Sequence, residues 1–271
     1  MSHLQDAATN TRQQLGLMPG DPERLPPQWQ NDIGSVAGKV VLITGSTRGI
    51  GRAAARAFAE RNALVMVHGR DKMRAEVVAA DICRAGGRAR GYAGDLALPG
   101  ESRRLVEAMI RDGGSLDVLI NNAAILPPPV LPPWATDDAE WRRVVAINVL
   151  APFEASVAAV RWMLEAKRPG RIINVSSEVA NLRKPPPLGC ASYGISKIAL
   201  EGVAAYLAAE ARALGIVFTT LRVPTSDTEM IKSRYDWQSR PPPRDPALAA
   251  VMYLWAATAP AATVHGRIYS L

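Results

Sequence analysis

The chain has 271 residues, 48% of them hydrophobic, 21% charged and 6% aromatic, with a formal net charge of +7. This is the composition of a globular chain with apolar surface for one large domain or two small ones, and it excludes disorder over the whole length. Two cysteines, Cys83 and Cys190, make no disulfide framework, and His3, His68 and His265 are too scattered for a metal cluster, so no metal is expected. The basic excess is spread as single arginines, which argues against a nucleic-acid surface.

Residues 1–36 read as a loose N-terminal arm, broken by Pro19, Pro22, Pro26 and Pro27, with helical spacing only over 3–15; Leu25 and Trp29 are the residues that could pin it to the body. Its polar start, MSHLQDAATN, lacks the pattern of a signal peptide. No run of about 18 uncharged apolar residues predicts a membrane span. With unpaired cysteines, these features point to the cytoplasm.

From Lys39 strands and helices alternate. The strands are KVVLIT (39–44), ALVMVHG (63–69), a weak RARGYAG (88–94), LDVLIN (116–121), RIINVS (171–176), IVFTTL (216–221) and RIYSL (267–271). Between them fall helices over 52–62, 71–86, 101–113, 137–166, 192–215 and 246–258, with a Pro-rich loop at 127–133. Asp137 with Glu140 three residues on gives the fourth helix a capping-box start. Continuous apolar strands alternating with helices predict an α/β fold: one doubly wound parallel sheet, Rossmann-like, covered on both faces, over residues 37–271. Ligands in that architecture bind beyond the carboxyl ends of the strands.

The first strand runs into Thr44-Gly45-Ser46-Thr47-Arg48-Gly49-Ile50-Gly51 and then a helix. Glycines permit positive φ and close backbone approach, and the free N–H groups of the helix start suit a pyrophosphate. Gly45, Thr47, Arg48, Gly49, Ile50 and Gly51 are therefore candidate cofactor contacts. The second strand ends His68-Gly69-Arg70 with no carboxylate before Asp71. An NAD site of this kind places Asp or Glu there for the ribose 2′-OH. Arg48 and Arg70 instead suit a 2′-phosphate, which favours NADP, although solvated arginines on a surface would read the same.

Tyr193 and Lys197 lie four apart in a helical stretch and share a face. A cation at about 4 Å would lower a phenol by roughly three pH units before burial opposes it. Tyr193 could then exchange a proton with a carbonyl oxygen, which Ser177 at the end of RIINVSS could hold.

Together these elements make the sequence resemble the short-chain dehydrogenase/reductase family over about residues 36–271. The resemblance rests on TGSTRGIG (44–51), Asp95-Leu96, NNAA (121–124), Asn148 within INV, NVSS (174–177) and YGISK (193–197), in that order. It implies Tyr193 as general acid/base, Lys197 on the nicotinamide ribose, and Ser177 on the substrate carbonyl, with Ser176 as the adjacent alternative. Asn148 would support a water and proton relay to Lys197. Asp95 and Leu96 would meet the adenine, Asn121 and Ala123 the cofactor ribose, and Thr228 the carboxamide. Structural readings stand beside these: Asp95 as a cap, Asn121 and Asn122 as turn residues, Thr228 as a helix cap.

Val223-Pro224 stands where the family often has Pro-Gly, and Ser177 and Tyr193 are further apart than usual. The expected activity is NADP(H)-dependent hydride transfer to or from a small-molecule carbonyl or alcohol. An NAD-linked alcohol dehydrogenase and a non-catalytic nucleotide-binding scaffold are the rivals. Trp134, Trp141, Leu188 and Met230 suggest an apolar mouth, with Trp141 and Met230 equally suited to the core. The family implies a homodimer or homotetramer through the helices at 137–166 and 192–215.

Overall fold

The computed structural model describes residues 22–129, 132–183, 187–232 and 242–271. Eight parallel strands form one sheet in the order β1-β8-β7-β6-β5-β2-β3-β4. They are β1 (Glu23–Arg24), β2 (Val40–Ile43), β3 (Leu64–Gly69), β4 (Arg88–Ala93), β5 (Val118–Asn121), β6 (Gly170–Ser177), β7 (Ile216–Val223) and β8 (Arg267–Ser270). The helices are α1 (Gly49–Ala59), α2 (Lys72–Arg84), α3 (Glu101–Gly113), α4 (Asp138–Val145), α5 (Ala151–Glu165), α6 (Ala191–Ala211), α7 (Glu229–Lys232), α8 (Pro246–Thr258) and α9 (Ala261–Val264). The predicted doubly wound α/β architecture is the one observed.

The side-chain period of two sorts each strand between two cores. Val41, Ile43, Val65 and Val67 face one side with Phe58 of α1 and Tyr253 and Trp255 of α8. Val40, Leu42 and Met66 face the other with Leu105 and Met109 of α3, Met163 of α5 and Phe218. Strands buried on both faces have no polar side to show, which is why they read as continuous apolar runs.

Part of the expected loose arm is folded onto the body. Glu23 and Arg24 pair with Tyr269 and Ser270, making β1 the edge strand beyond β8. Leu25 and Trp29 are only 8% and 7% exposed, and they join the core on the α8 side. Burial of these two hydrophobes outweighs the prolines, which bar a helix and leave extended chain available, and the half-exposed Glu23–Arg267 ion pair (2.9 Å) adds little. The helical spacing noted over 3–15 lies outside the described residues, as do parts of the Pro-rich stretches at 127–133 and 183–187.

The helix expected over 137–166 is interrupted. Asp137 caps α4 as expected, but by accepting from Ala139 N at 3.2 Å and not through the capping-box pairing with Glu140. At Ala146–Leu150 the chain takes one π turn before α5 resumes. Pro152 lies in the first turn of α5 and has no N–H, so one α-type bond across this point cannot form. Among the described residues, Asp138–Glu165 is long and apolar enough to cross a membrane by length and composition, but half of its most apolar 18-residue window is buried inside the protein.

Candidate active site

Beyond the carboxyl ends of β2, β3, β5, β6 and β7 lies a cavity of about 640 Å³. Its floor is the loop from β2 to α1. Gly45 and Gly49 have φ of 66° and 53°, which a side chain would strain. A Cβ on Gly51 would lie 2.4 Å from the Gly45 carbonyl oxygen and 2.6 Å from Asn122 Nδ2, so the loop can only close over glycine. The Arg48 N-cap of α1 makes no side-chain capping bond, and the first turn carries no acidic residue. The unpaired N–H groups of the α1 terminus therefore face a cavity that Gly45, Thr47, Arg48, Gly49, Ile50 and Gly51 line, an arrangement that fits the pyrophosphate of a dinucleotide.

Asn122 braces this loop. Its Nδ2 donates to the carbonyls of Thr44 (2.8 Å) and Gly45 (3.2 Å), and its Oδ1 accepts from Tyr253 Oη at 3.0 Å. His68 braces it from β3. The Gly45 N–H donates to His68 Nδ1 at 3.1 Å, so Nε2 carries the proton and donates to the Gly94 carbonyl at 3.1 Å. Burial pushes the His68 pKa down to about 4, against the pull of the Gly94 bond and of Glu101 and Asp95. The ring is a neutral spacer between the phosphate loop and the β4 end.

At the far end of β3 the cavity is lined by Arg70, Asp71 and Arg74, with Arg48 facing them from the loop. Asp71 is spent locally: it caps α2, its Oδ1 accepting from Arg74 N at 3.0 Å. Arg48 pairs with Glu229 of α7 at 3.1 Å, both side chains more than half exposed, a contact of little energy that a ligand phosphate could replace. Asp95 and Leu96 line the same end. Asp95 Oδ1 accepts from Ala97 N at 3.0 Å, so the turn-forming reading of this residue is also met.

At the other end are Tyr193 and Lys197 of α6, both lining the cavity. Lys197 Nζ donates to the Val175 carbonyl at 2.7 Å and lies 5.6 Å from the centroid of the Tyr193 ring. The phenol is not lowered as its lysine neighbour suggested. Burial raises the Tyr193 pKa to about 12, opposed by the hydrogen bond from Ser177. Desolvation wins because the ammonium is fastened to a backbone carbonyl instead of the phenol oxygen. Burial likewise lowers Lys197 to about 8, opposed by the Glu201 carboxylate.

Ala123 and Thr228 line the cavity as expected, and so do Val223 and Met230. Three expected contacts do not. Asn121 is buried beneath the site, its Nδ2 donating to Asn174 Oδ1 (2.9 Å) and Ser156 Oγ (3.0 Å), and the cavity is lined by Asn122 in its place. Asn148 sits in the π turn, fully buried. Its Oδ1 accepts from Ile125 N at 2.9 Å, and its Nδ2 donates to the Ile125 carbonyl and to Ser196 Oγ, each at 3.0 Å. With both amide hydrogens used, its side chain clamps the cavity wall to α6. Ser177 is reached through its bond to Tyr193 and is not on the cavity wall, which Ser176 is.

His68, Arg74 and Asn122 were missed as cavity residues. Arg74 could have been found from its place in the first turn of the helix that follows Arg70. Of the apolar mouth, Met230 lines the cavity, while Trp134 and Leu188 are 87% and 81% exposed. Among the described residues no His, Cys, Asp and Glu cluster could hold a metal.

The sequence matches the short chain dehydrogenase family over residues 39–239. The 3-oxoacyl-(acyl-carrier-protein) reductase FabG of Vibrio cholerae is 31% identical over 204 residues, which cover 75% of this chain and 80% of that protein. A short-chain type dehydrogenase/reductase from Mycobacterium marinum has a TM-score of 0.82 at 26% identity, over 89% of this chain and 97% of the other. A short chain dehydrogenase from Burkholderia cenocepacia in complex with NADP has a TM-score of 0.78 at 27% identity, over 88% and 98%. The chain belongs to the short-chain dehydrogenase/reductase family. It is an oxidoreductase that acts with a nicotinamide dinucleotide on a small-molecule substrate.

Proposed function

We propose that the protein is an NADP(H)-dependent reductase of small-molecule ketones or aldehydes, with Tyr193 as general acid. The observation that carries the cofactor choice is at the end of β3. The first carboxylate there, Asp71, is engaged as a helix cap, and Arg70, Arg74 and Arg48 line the same part of the cavity. Three guanidinium groups favour a 2′-phosphate over a bare hydroxyl. The Burkholderia cenocepacia relative in complex with NADP supports the same choice.

The bound cofactor would supply the hydride. The α1 terminus with Gly45, Thr47, Gly49, Ile50 and Gly51 would hold the pyrophosphate, Asp95 and Leu96 the adenine, and Ala123, Lys197 and Thr228 the nicotinamide half. A phenol of pKa about 12 is fully protonated at neutral pH and still more acidic than an alkoxide's conjugate acid, so Tyr193 is built to donate as a carbonyl oxygen becomes negative. Ser177 hydrogen-bonds that phenol and would share the substrate oxygen. Lys197, lowered to about 8, remains chiefly an ammonium at pH 7 and would stabilise the phenolate left behind. Asn148 would act by position, fixing Ile125 against α6.

The test is a titration with NADPH and NADH, followed by a carbonyl panel with NADPH. NADPH is expected to bind at least about tenfold more tightly than NADH, with Arg70→Ala and Arg74→Ala erasing the difference. Tyr193→Phe is expected to keep NADPH affinity within about twofold and to lose at least about a hundredfold in kcat. Tighter NADH binding would return the chain to the NAD-linked alcohol dehydrogenase reading. Tight NADPH binding with no turnover across the panel would favour a regulatory scaffold. The exposed Leu150, Phe153 and Leu164 along α5 and its entry, with Ile195 and Tyr206 on α6, support assembly as a homodimer or homotetramer.

A further inference from the structure

Behind Lys197 lies a charged group that no step above uses. Glu201 is one turn further along α6 and 1% exposed. Arg222 of β7, 4% exposed, grips it with both forks: Nε donates to Oε1 and Nη2 to Oε2, each at 2.7 Å. Ser176 of β6, adjacent to Arg222 across the β6–β7 pair, donates to Oε1 at 2.6 Å. Lys197 itself is 2% exposed. Three ionised side chains are thus taken out of water around one turn of α6.

A buried ion pair is a poor device for stability alone, since apolar residues of the same volume commonly do as well. Its place points to another purpose. Positions four apart on a helix are neighbours, so Glu201 lies one turn along from the lysine on the same face of α6, and Arg222 of β7 and Ser176 of β6 fix its carboxylate there. We propose that Glu201 is a positioning residue: a carboxylate fixed by Arg222 and Ser176 that holds Lys197 as an ammonium on the Val175 carbonyl. The Glu201 charge opposes the burial that drives Lys197 down to about 8.

The other groups around Lys197 are accounted for. On α6 it has Tyr193 and Glu201, and Tyr253 of α8 lies beyond Tyr193. β6 presents the neutral Ser176, and the π turn the neutral Asn148. Glu178 follows β6, and on α4 the half-buried Glu140 accompanies the exposed Arg142 and Arg143, the latter paired with Asp95 at 3.5 Å. Glu201 is the carboxylate one turn along α6 from the lysine.

This placement on α6 carries the inference, and its use in turnover rests on the function proposed above. The test is a pH titration of the full chain, free of cofactor, labelled with ¹³C at lysine Cε. The Lys197 signal is identified by its loss in Lys197→Arg, apart from those of Lys39, Lys72, Lys167, Lys184 and Lys232. Glu201→Gln is expected to move the Lys197 midpoint down by about one pH unit or more, and Arg222→Met to move it up. The double variant Glu201→Leu/Arg222→Met removes both members of the ion pair and leaves Lys197 as the buried charge that is titrated, and it decides the matter if the single variants do not fold. Its midpoint is expected to move down, by less than in Glu201→Gln. A folded variant lacking Glu201 in which Lys197 titrates at the wild-type midpoint overturns the proposal and leaves the pair as a clamp between α6 and β7. Coupling in the titration without any NADPH binding would overturn the proposed function and leave this inference standing.

Discussion

His68 and Lys197 are both basic side chains held below their ordinary pKa by burial, and the same linkage governs each. Between about pH 6.5 and 4 an unfolded chain protonates His68 and the folded one does not, so stability falls as pH falls through that window. The shift corresponds to about 3 kcal/mol. Denaturant unfolding at pH 7, 5 and 4 is expected to show this acid loss, and His68→Gln to shrink it by about that amount. For Lys197 the window is alkaline. Below about pH 8 both states carry the proton and the fold bears the full cost of a buried ammonium; as pH rises from 8 to 10.5 that cost disappears. Lys197→Met is therefore expected to raise stability at pH 7 by about 2 kcal/mol, the gain fading above pH 8, while turnover is lost. The sequence showed which residues pair at the site but not how deep they lie. Partner charge is legible from spacing along α6, whereas desolvation depends on what β6 and β7 pack against it, and for Tyr193 desolvation reversed the sign.

At the scale of elements, the phosphate loop is the most demanding piece. Gly51→Ala puts a methyl group against the Gly45 carbonyl, Asn122 and Ser46, all within 3 Å. Relief requires the loop to move off the Asn122 and His68 braces. NADPH affinity is expected to fall at least about tenfold, with a stability loss of about 1–3 kcal/mol, read by fluorescence titration and thermal melting of the same sample. This loop was legible because glycine spacing after an apolar strand has few other uses. So were the strands, whose continuous apolar runs follow from burial on both faces. The π turn was not. Helical periodicity runs through Ala146–Leu150 without a break, and what interrupts it is one missing N–H together with Asn148 reaching Ile125 and Ser196. The Glu201–Arg222 pair was equally invisible, because the two residues are 21 apart in sequence on unlike elements and meet only when α6 packs on β7.

At the scale of the whole molecule, the seating of residues 22–36 decides how one edge of the sheet is closed. Trp29 fills the core on the α8 side, and Leu25 donates its N–H to the Ser270 carbonyl at 3.0 Å. Trp29→Ala is expected to cost about 3–5 kcal/mol in a denaturation experiment while leaving NADPH affinity within about twofold, since Trp29 does not line the cavity. Prolines made this segment read as an arm, since a strand of two residues is too short for any periodicity and its partner lies at the other end of the sequence. That pairing also orders events in time. Glu23 meets Arg267 across 244 positions, so the first described strand to leave a ribosome must wait for the last one to emerge. Until then Leu25 and Trp29 have no place to go, and a chain stalled before β8 would carry them exposed, as a handle for chaperones.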